Sequence, residues 1–211
     1  MKKSILLSLG LSISILSISQ NRNDIFTSNK VFFYGYDFTH FKITEAKRMG
    51  QESQMKGVVF EIINIMNTKK PEKKYTSLLK KESVIFDQES VNALNKNINI
   101  EGIVEPFKKN IIPYDSLQIM VNRYNTEGKT GIGFVQIIEC LYRPDKEASV
   151  WYVFFDIATK KILDAKEMFN NDADSYHGLA IYWCVGLSCE LGQYRSKYYM
   201  KELKKFNNSM K

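Results

Sequence analysis

Gly131–Tyr142, GIGFVQIIECLY, and Val150–Phe155, VWYVFF, are the stretches that decide the fold of this chain. Both are rich in β-branched and aromatic residues, and the turn sequence Arg143–Lys146 separates them. A second turn, Asp156–Lys160, leads into a third predicted strand at Lys161–Phe169. Because such short connections can join only antiparallel strands, the sequence predicts a three-stranded antiparallel meander.

The run VWYVFF contains no polar residue, which predicts a central strand with both faces covered. We therefore expect Trp151, Phe154 and Phe155 to be core residues. A long helix that packs on the sheet is predicted from about Tyr176 to Phe206. Its apolar stripe consists of Ala180, Trp183, Cys184, Leu187, Leu191, Tyr194 and Tyr198.

The first half of the chain alternates predicted strands and helices. Val31–Phe38, VFFYGYDF, and Val84–Phe86 are predicted strands, and Leu117–Tyr124 is a third candidate. Thr44 can cap the helix that follows the first strand, and a second helix is predicted over Glu89–Asn97. The stripe of the first helix is Met55, Val58, Val59, Ile62, Ile63 and Met66. This order predicts a mixed α/β fold: strand-helix-strand-helix, then the meander, then the long helix.

Length and composition are those of one folded domain. The chain has 211 residues, of which 44% are hydrophobic and 25% are charged. These values exclude a disordered chain and a disulfide-rich miniprotein. We assign residues 30–206 to a single α/β domain, residues 20–29 to an N-terminal extension and residues 207–211 to a disordered tail.

Residues 1–19 follow the order of a secretory signal peptide. Lys2 and Lys3 give a positive start, residues 4–16 carry no charge, and Ser17-Ile18-Ser19 supplies small residues for cleavage after Ser19. The apolar run is shorter than the roughly 20 residues that span a bilayer. Since no Cys lies near the cleavage position, a lipid anchor is not expected. The sequence therefore predicts a secreted or periplasmic protein.

The basic residues are clustered. The formal net charge is +7, with lysine runs in residues 69–74, at Lys80-Lys81 and over residues 201–211. A positive surface attracts polyanions, which for an exported protein are lipid head groups and envelope polysaccharides. Solvated surface charges explain the same runs. No aromatic residue lies within residues 69–74, so a nucleic-acid surface is not expected.

Three segments match known ligand-binding motifs only in part. Gly128-Lys129-Thr130 has Arg123 where a phosphate-binding loop has its first Gly. Gly131-Ile132-Gly133 has Gln136 in place of the third Gly of a dinucleotide-binding turn, and a strand follows it. We interpret both as a loop that enters a strand. Asn170–Ser175 begins like a calcium loop but lacks the required Gly and Glu, which favours a helix entry.

The histidines and cysteines form no catalytic motif. His40 and His177 belong to no metalloprotease or serine-hydrolase signature, although a pairing of Cys140 with either histidine in space stays open. We assign no catalytic, metal-binding or cofactor-binding residue and expect no cofactor. The three cysteines are expected to be reduced, with a Cys140–Cys184 disulfide as the open alternative for an exported chain. A Cys184–Cys189 bond would require the helix to break.

The segments at Val31–Phe38, Gly131–Tyr142 and Val150–Leu163 resemble stretches in secreted proteins of Bacteroidota with no assigned activity. Across residues 30–205 the order of elements is also similar to the α/β domain of curli-secretion assembly lipoproteins. This chain lacks the lipidated Cys of those lipoproteins, and the resemblance transfers no catalytic residue.

We therefore expect an exported envelope protein that acts as a non-enzymatic binding or assembly module for another protein or an envelope polyanion. One alternative is a hydrolase whose site is built from acidic residues such as Asp156, Asp164, Asp172 and Asp174. Another alternative is a protein that binds anionic membrane surfaces through its lysines. The sequence does not predict the oligomeric state of the chain.

Overall fold

A computed structural model of the chain describes residues 20–44, 52–68, 70–105, 109–142, 147–170, 184, 187 and 191–211. Several predictions fall outside these ranges: the signal peptide, the turn at residues 143–146, the helix entry at residues 171–177, and the placement of Ala180, Trp183 and Cys189.

Seven strands in the described part of the chain form one sheet. They are β1 (Lys30–Asp37), β2 (Lys42–Thr44), β3 (Ser83–Phe86), β4 (Val104–Glu105), β5 (Ile132–Tyr142), β6 (Glu147–Asp156) and β7 (Ile162–Asn170).

The sheet combines antiparallel and parallel pairs. β5 pairs with β6, and β6 with β7, in antiparallel register, as the short connections predict. The first four strands pair in parallel: β1 with β3 and β5, and β2 with β4 and β5. β1 and β2 lie end to end along one edge of β5, beside Gly133–Ile137 and Cys140–Tyr142 respectively.

Helices cover both faces of this sheet. They are α1 (Asp24–Thr27), α2 (Glu52–Thr68), α3 (Glu72–Leu79), α4 (Glu89–Asn95), α5 (Tyr114–Asn122) and α6 (Met200–Ser209), with a short 3-10 turn at Ile100–Gly102. Residues 191–194 are also helical and continue through a π-helical turn, Arg195–Tyr199, into α6. We call residues 191–209 the C-terminal helix.

Successive residues of a strand point to opposite faces of the sheet, so alternate residues pack into two hydrophobic cores, one on each face. Phe33, Phe134 and Phe154 pack in the core with α2, α3 and the C-terminal helix. Tyr34, Val135 and Phe155 pack in the other core with α4 and α5. The prediction that VWYVFF forms a central strand is confirmed, because β6 lies between β5 and β7. Phe154 and Phe155 are fully buried and Trp151 is half-buried.

One local prediction is wrong. Leu117–Tyr124 is not a strand, since Leu117 lies in α5. Leu117, Met120 and Val121 are buried at helical spacing and contact the second core. Thr44 is the last residue of β2, and its Oγ1 lies 3.7 Å from Cys140 Sγ. The residues that it would cap, 45–51, lie outside the described ranges, so its role as a helix cap stays a prediction.

Both ends of the described chain pack against the domain. The predicted N-terminal extension contains α1, whose Ile25 is buried, and Lys81 Nζ donates hydrogen bonds to the carbonyls of Ile25 and Ser28. The C-terminal helix extends to Ser209, beyond its predicted end at Phe206, so residues 207–209 are helical rather than a disordered tail. Among the described residues of the predicted apolar stripe, Cys184, Leu187, Leu191 and Tyr194 are buried, as predicted, and Tyr198 is half-buried.

Candidate functional site

A cavity of about 430 Å³ lies where the chain passes from β1 to β2. Three segments contribute to its lining. They are residues 39–42; Ile98, Asn99, Gly102 and Ile103; and residues 110–113 with Ser116, Ile119 and Met120 of α5. This volume is in the range of small-molecule sites, about 300–1,000 Å³. Its position at the carboxyl end of a parallel strand is where open α/β sheets commonly bind ligands. We call it the β1–β2 cavity.

A buried carboxylate shapes the backbone where β1 ends. Asp37 accepts hydrogen bonds from Thr39 N at 2.8 Å and from Thr39 Oγ1 at 2.6 Å. It also accepts one from Tyr124 Oη at 2.7 Å. Burial, and then the Asp37 carboxylate, raise the pKa of Tyr124 well above its ordinary value. These donors satisfy the buried carboxylate of Asp37, and the two bonds from Thr39 hold that residue in the cavity wall.

Asn95 of α4 supplies the backbone partners that β1 lacks at this end. Its Nδ2 donates to Tyr36 O at 2.7 Å, and its Oδ1 accepts from Phe38 N at 2.9 Å. The amide side chain therefore replaces a neighbouring strand where the pairing with β3 has ended.

The polar groups of the β1–β2 cavity are cationic or neutral. Lys42 Nζ donates to Gly102 O, and because an ammonium has three N–H donors, others remain for a ligand. Arg123 Nη1 lies 3.1 Å from His40 Nε2. Since a guanidinium only donates, Nε2 accepts and the imidazole proton is on Nδ1. No acidic residue lies among the described residues that line the cavity.

The apolar part of the lining is mostly aliphatic, with Phe41 as an aromatic member, and it continues onto the surface. Ile103, Ile112 and Met120 are buried in the lining, whereas Ile111 is 69% exposed and Ile119 is 67% exposed. Exposed aliphatic side chains beside a cavity are typical of binding sites.

Two glutamates lie next to one wall of this cavity. Glu139 of β5 is 0% exposed, and its Oε1 accepts hydrogen bonds from Ile112 N and, at 3.4 Å, from Trp151 Nε1. Glu167 of β7 is half-buried. Burial, and then the nearby Glu139 carboxyl group, raise the pKa of Glu167 to about 8. Lys109 opposes this shift.

Sequence analysis missed this pair. A signal was present, because Glu139 is a single charged residue inside the otherwise uncharged strand IGFVQIIECLY. Its partner Glu167 lies in a strand of mixed polarity and carries no such signal.

A second cavity, of about 540 Å³, is polar. Lys129, in its lining, pairs with Asp87 at 2.6 Å, so the lysine of the incomplete phosphate loop already has an anionic partner. The interpretation of these glycines as a loop entering a strand is confirmed, since Gly128 and Gly131 have φ values of +70° and +113° and β5 begins at Ile132.

The acidic residues named for a hydrolase do not meet in one described site. Asp156 is 1% exposed and accepts from the backbone amides of Ala158 and Thr159 at 2.8 and 3.0 Å. Asp164 accepts from Arg22 and from Tyr198 Oη at 2.9 Å. Both therefore have structural partners. Asp172 and Asp174 lie outside the described residues.

Cys140 and Cys184 are buried thiols, and the Cys140–Cys184 disulfide is not formed. Burial raises the pKa of Cys140, which disfavours the nucleophilic thiolate. The Cys140–His40 alternative also lacks support, because His40 Nε2 contacts Arg123 while Cys140 Sγ contacts Thr44. His177 and Cys189 lie outside the described ranges.

Lysines from two distant parts of the sequence meet on one side of the molecule. α3 and the C-terminal helix are neighbours, since Tyr199 Oη donates to Leu79 O at 2.8 Å. Exposed lysines on and beside these helices form what we call the lysine face: Lys70, Lys73, Lys74, Lys80, Lys197, Lys201, Lys204 and Lys205. Lys81 does not belong to it, because it is buried beneath α1.

Within the described ranges, His, Cys, Asp and Glu form no group of three that suits a metal ion. In the same ranges, every helix is too short or too polar to cross a membrane. No family model matches this chain, and comparison with curated proteins and with solved structures also gives no match.

Proposed function

We propose that this chain is an exported, non-enzymatic binding module, and that its β1–β2 cavity binds a small apolar carboxylate. The observation that carries this proposal is the composition of the cavity. Its apolar walls are mostly aliphatic, its polar side chains are one lysine and neutral groups such as Asn99 and Asn110, and no acidic residue is among the described lining. An apolar body would be buried against the isoleucines, and a carboxylate would pair with Lys42.

Titration calorimetry with decanoate and decanol tests this assignment. The two probes have the same apolar chain, but only decanoate carries a charge. We expect the wild-type chain to bind decanoate at least about tenfold more tightly, because a charge-assisted hydrogen bond contributes about 1.5–3 kcal/mol.

Lys42→Met should remove this preference and leave decanol binding nearly unchanged. Lys201→Met, on the lysine face, is the matched control and should bind both probes like the wild type. The proposal would be contradicted if neither probe binds the wild type. It would also be contradicted if Lys42→Met still binds decanoate more tightly than decanol.

A second function, binding to anionic membranes, is favoured by the lysine face. On the two helices that carry it, exposed lysines outnumber the one exposed carboxylate, Glu72, and the second glutamate, Glu202, is engaged by Arg22 and Lys205. The free energy of attraction to an anionic surface is about 1 kcal/mol for each nearby lysine.

Sedimentation with phosphatidylglycerol vesicles tests this function, with phosphatidylcholine vesicles as the uncharged comparison. Binding to the anionic vesicles should weaken as salt exceeds about 0.15 M. It should be lost in the variant K73Q/K74Q/K201Q/K204Q and kept in K96Q/K161Q. Equal sedimentation of the two variants would argue against the lysine face.

A further inference from the structure

Two charged side chains reach the β1–β2 cavity from different sides. Lys42 Nζ donates to the carbonyl of Gly102, which lines one wall. Arg123 directly follows α5, and its Nη1 lies 3.1 Å from Nε2 of His40. His40 lines the β1–β2 cavity and Arg123 lines the second, polar cavity, so this pair lies at the boundary between the two. A ligand in the β1–β2 cavity therefore meets one cation in the wall and another beyond His40.

The main chain holds both members of the pair in place. Arg123 N donates to Met120 O at 3.1 Å, and the next residue, Tyr124, is fully buried. The carbonyl of His40 accepts a hydrogen bond from Asn110 Nδ2 at 3.0 Å. The side chains of Arg123 and His40 are themselves exposed. The guanidinium group therefore stays beside the cavity while it faces water.

The guanidinium group of Arg123 has spare donors and no anionic partner among the described residues. The neutral imidazole of His40 accepts from only one of its five N–H groups. In the lining of the polar cavity, Asp87 is paired with Lys129 at 2.6 Å. The other two carboxylates of this lining, Glu89 and Glu127, form no ion pair with Arg123 in the described part of the chain. A guanidinium group suits a carboxylate, which it can bind through two parallel N–H donors.

We propose that the ligand of the β1–β2 cavity is an apolar dicarboxylate, with one carboxylate on Lys42 and the other on Arg123. Its aliphatic middle would be buried against the isoleucines, and its second carboxylate would leave the cavity at His40. This inference rests on the proposed function, because it names the chemical class of the ligand of the same cavity. Arg123 is then the residue that selects a diacid over a monoacid.

Titration calorimetry with decanedioate and its monomethyl ester at about pH 8 tests this ligand class. The two probes have nearly the same length, but only the diacid carries two charges at this pH. Because either end of the diacid can occupy the Lys42 site, it gains about twofold in affinity without Arg123. An exposed ion pair with Arg123 should add a further factor of about two to five, so the wild type should prefer the diacid about four- to tenfold. Octanedioate and hexanedioate, with their monomethyl esters, extend the test to shorter ligands, and we expect this preference for at least one length.

Arg123→Gln should lower the preference to about twofold and leave the affinity for the monoester nearly unchanged. Glutamine keeps an amide that can donate to His40, so the loss reports on the charge. Arg123→Lys retains the charge and should keep part of the preference. Lys161→Gln is the matched control, because Lys161 is exposed and lines neither cavity, and it should behave like the wild type.

A preference of only about twofold at every chain length, with monoester binding that Lys42→Met weakens, would overturn the dicarboxylate and leave the proposed function intact. A preference that stays high in Arg123→Gln would also overturn it, because the second carboxylate would then be held elsewhere. If neither diacids nor monoesters bind at any length, the inference and the proposed function both fail.

Discussion

Gly133 of β5 lies opposite Phe155 of β6, and a Cβ added to Gly133 would stand 2.4 Å from Phe155 Cζ. The ring occupies the space that any side chain at position 133 would need. This glycine is therefore required by packing between two strands, whereas its sequence context indicated only an incomplete nucleotide-binding turn.

Gly133→Ala should lower the free energy of unfolding by about 1–3 kcal/mol, because the added methyl group overpacks the core. Gly57→Ala in α2 is the matched control. Its Cβ meets no atom within 4 Å, so a helical alanine should raise stability by about 0.5–1 kcal/mol. Urea denaturation measures both variants. A loss of the same size in both would rule out the contact with Phe155 as the cause.

Asn95→Leu should lower the free energy of unfolding by at least about 2 kcal/mol. The change leaves Tyr36 O and Phe38 N buried without partners, at about 1–3 kcal/mol each. The exposed Asn97, whose Nδ2 donates to Ala93 O, gives the control Asn97→Leu, with an expected change within about 0.5 kcal/mol. Equal melting temperatures for the two variants would show that Asn95 does not bridge the end of β1.

At the scale of elements, the sequence predicted the meander because its turns are too short for any other pairing. It did not predict β2 and β4, which have three and two residues and are too short to show a strand pattern. α5 was predicted as a strand because β-branched residues such as Ile119 and Val121 favour strands. Parallel pairing of β1 with β5 joins residues about a hundred positions apart, which local patterns do not encode.

The reactivity of the two buried thiols, Cys140 and Cys184, depends on the strands and helices that cover them. Cys140 lies on β5 beside Thr44, and Cys184 Sγ is 3.9 Å from Ile62 O of α2. Both should react with a thiol reagent far more slowly in the native protein than in urea, because burial limits access and raises the pKa of Cys140. Alkylation followed by peptide mapping measures each site. A peptide that joins Cys140 to Cys184 would contradict the absence of a disulfide between them.

At the scale of the whole molecule, the N-terminal segment ties distant parts of the fold together. Arg22 donates to Asp164 of β7 at 3.1 Å and to Glu202 of α6 at 2.8 Å, while Phe26 stacks on Phe206 with ring centroids 5.5 Å apart. Sequence analysis assigned residues 20–29 to an N-terminal extension. Its contacts are long-range and become visible only once the sheet and the C-terminal helix are placed.

Global stability should decrease as pH rises from about 5 to about 8. The folded-state pKa of Glu167, about 8, lies above the ordinary value of 4.5. Between these values the folded chain binds a proton that the unfolded chain has released, so rising pH favours unfolding. Urea midpoints across this range should fall more steeply in the wild type than in Glu167→Gln. The exposed Glu127→Gln should follow the wild type, and a slope retained in Glu167→Gln would contradict this origin.

The predicted cleavage after Ser19 would place a new positive charge beside the buried carboxylate of Asp156. Gln20 N lies 2.5 Å from Oδ2 of Asp156, and cleavage would convert this amide into an ammonium group that faces the carboxylate. A chain that starts at free Gln20 should therefore be about 1–3 kcal/mol more stable than the same chain acetylated at Gln20, because a charged donor strengthens the bond.

Asp156→Asn should abolish this difference between the free and acetylated chains, since its side chain still accepts from Ala158 and Thr159 but is no longer charged. The four proteins form a double-mutant cycle that isolates the pair. Intact mass must show that Gln20 has not cyclised, because cyclisation would remove the ammonium group. A stability difference that persists in Asp156→Asn would mean that the new N-terminus acts elsewhere. N-terminal sequencing of the protein recovered from cells tests whether Gln20 is its first residue.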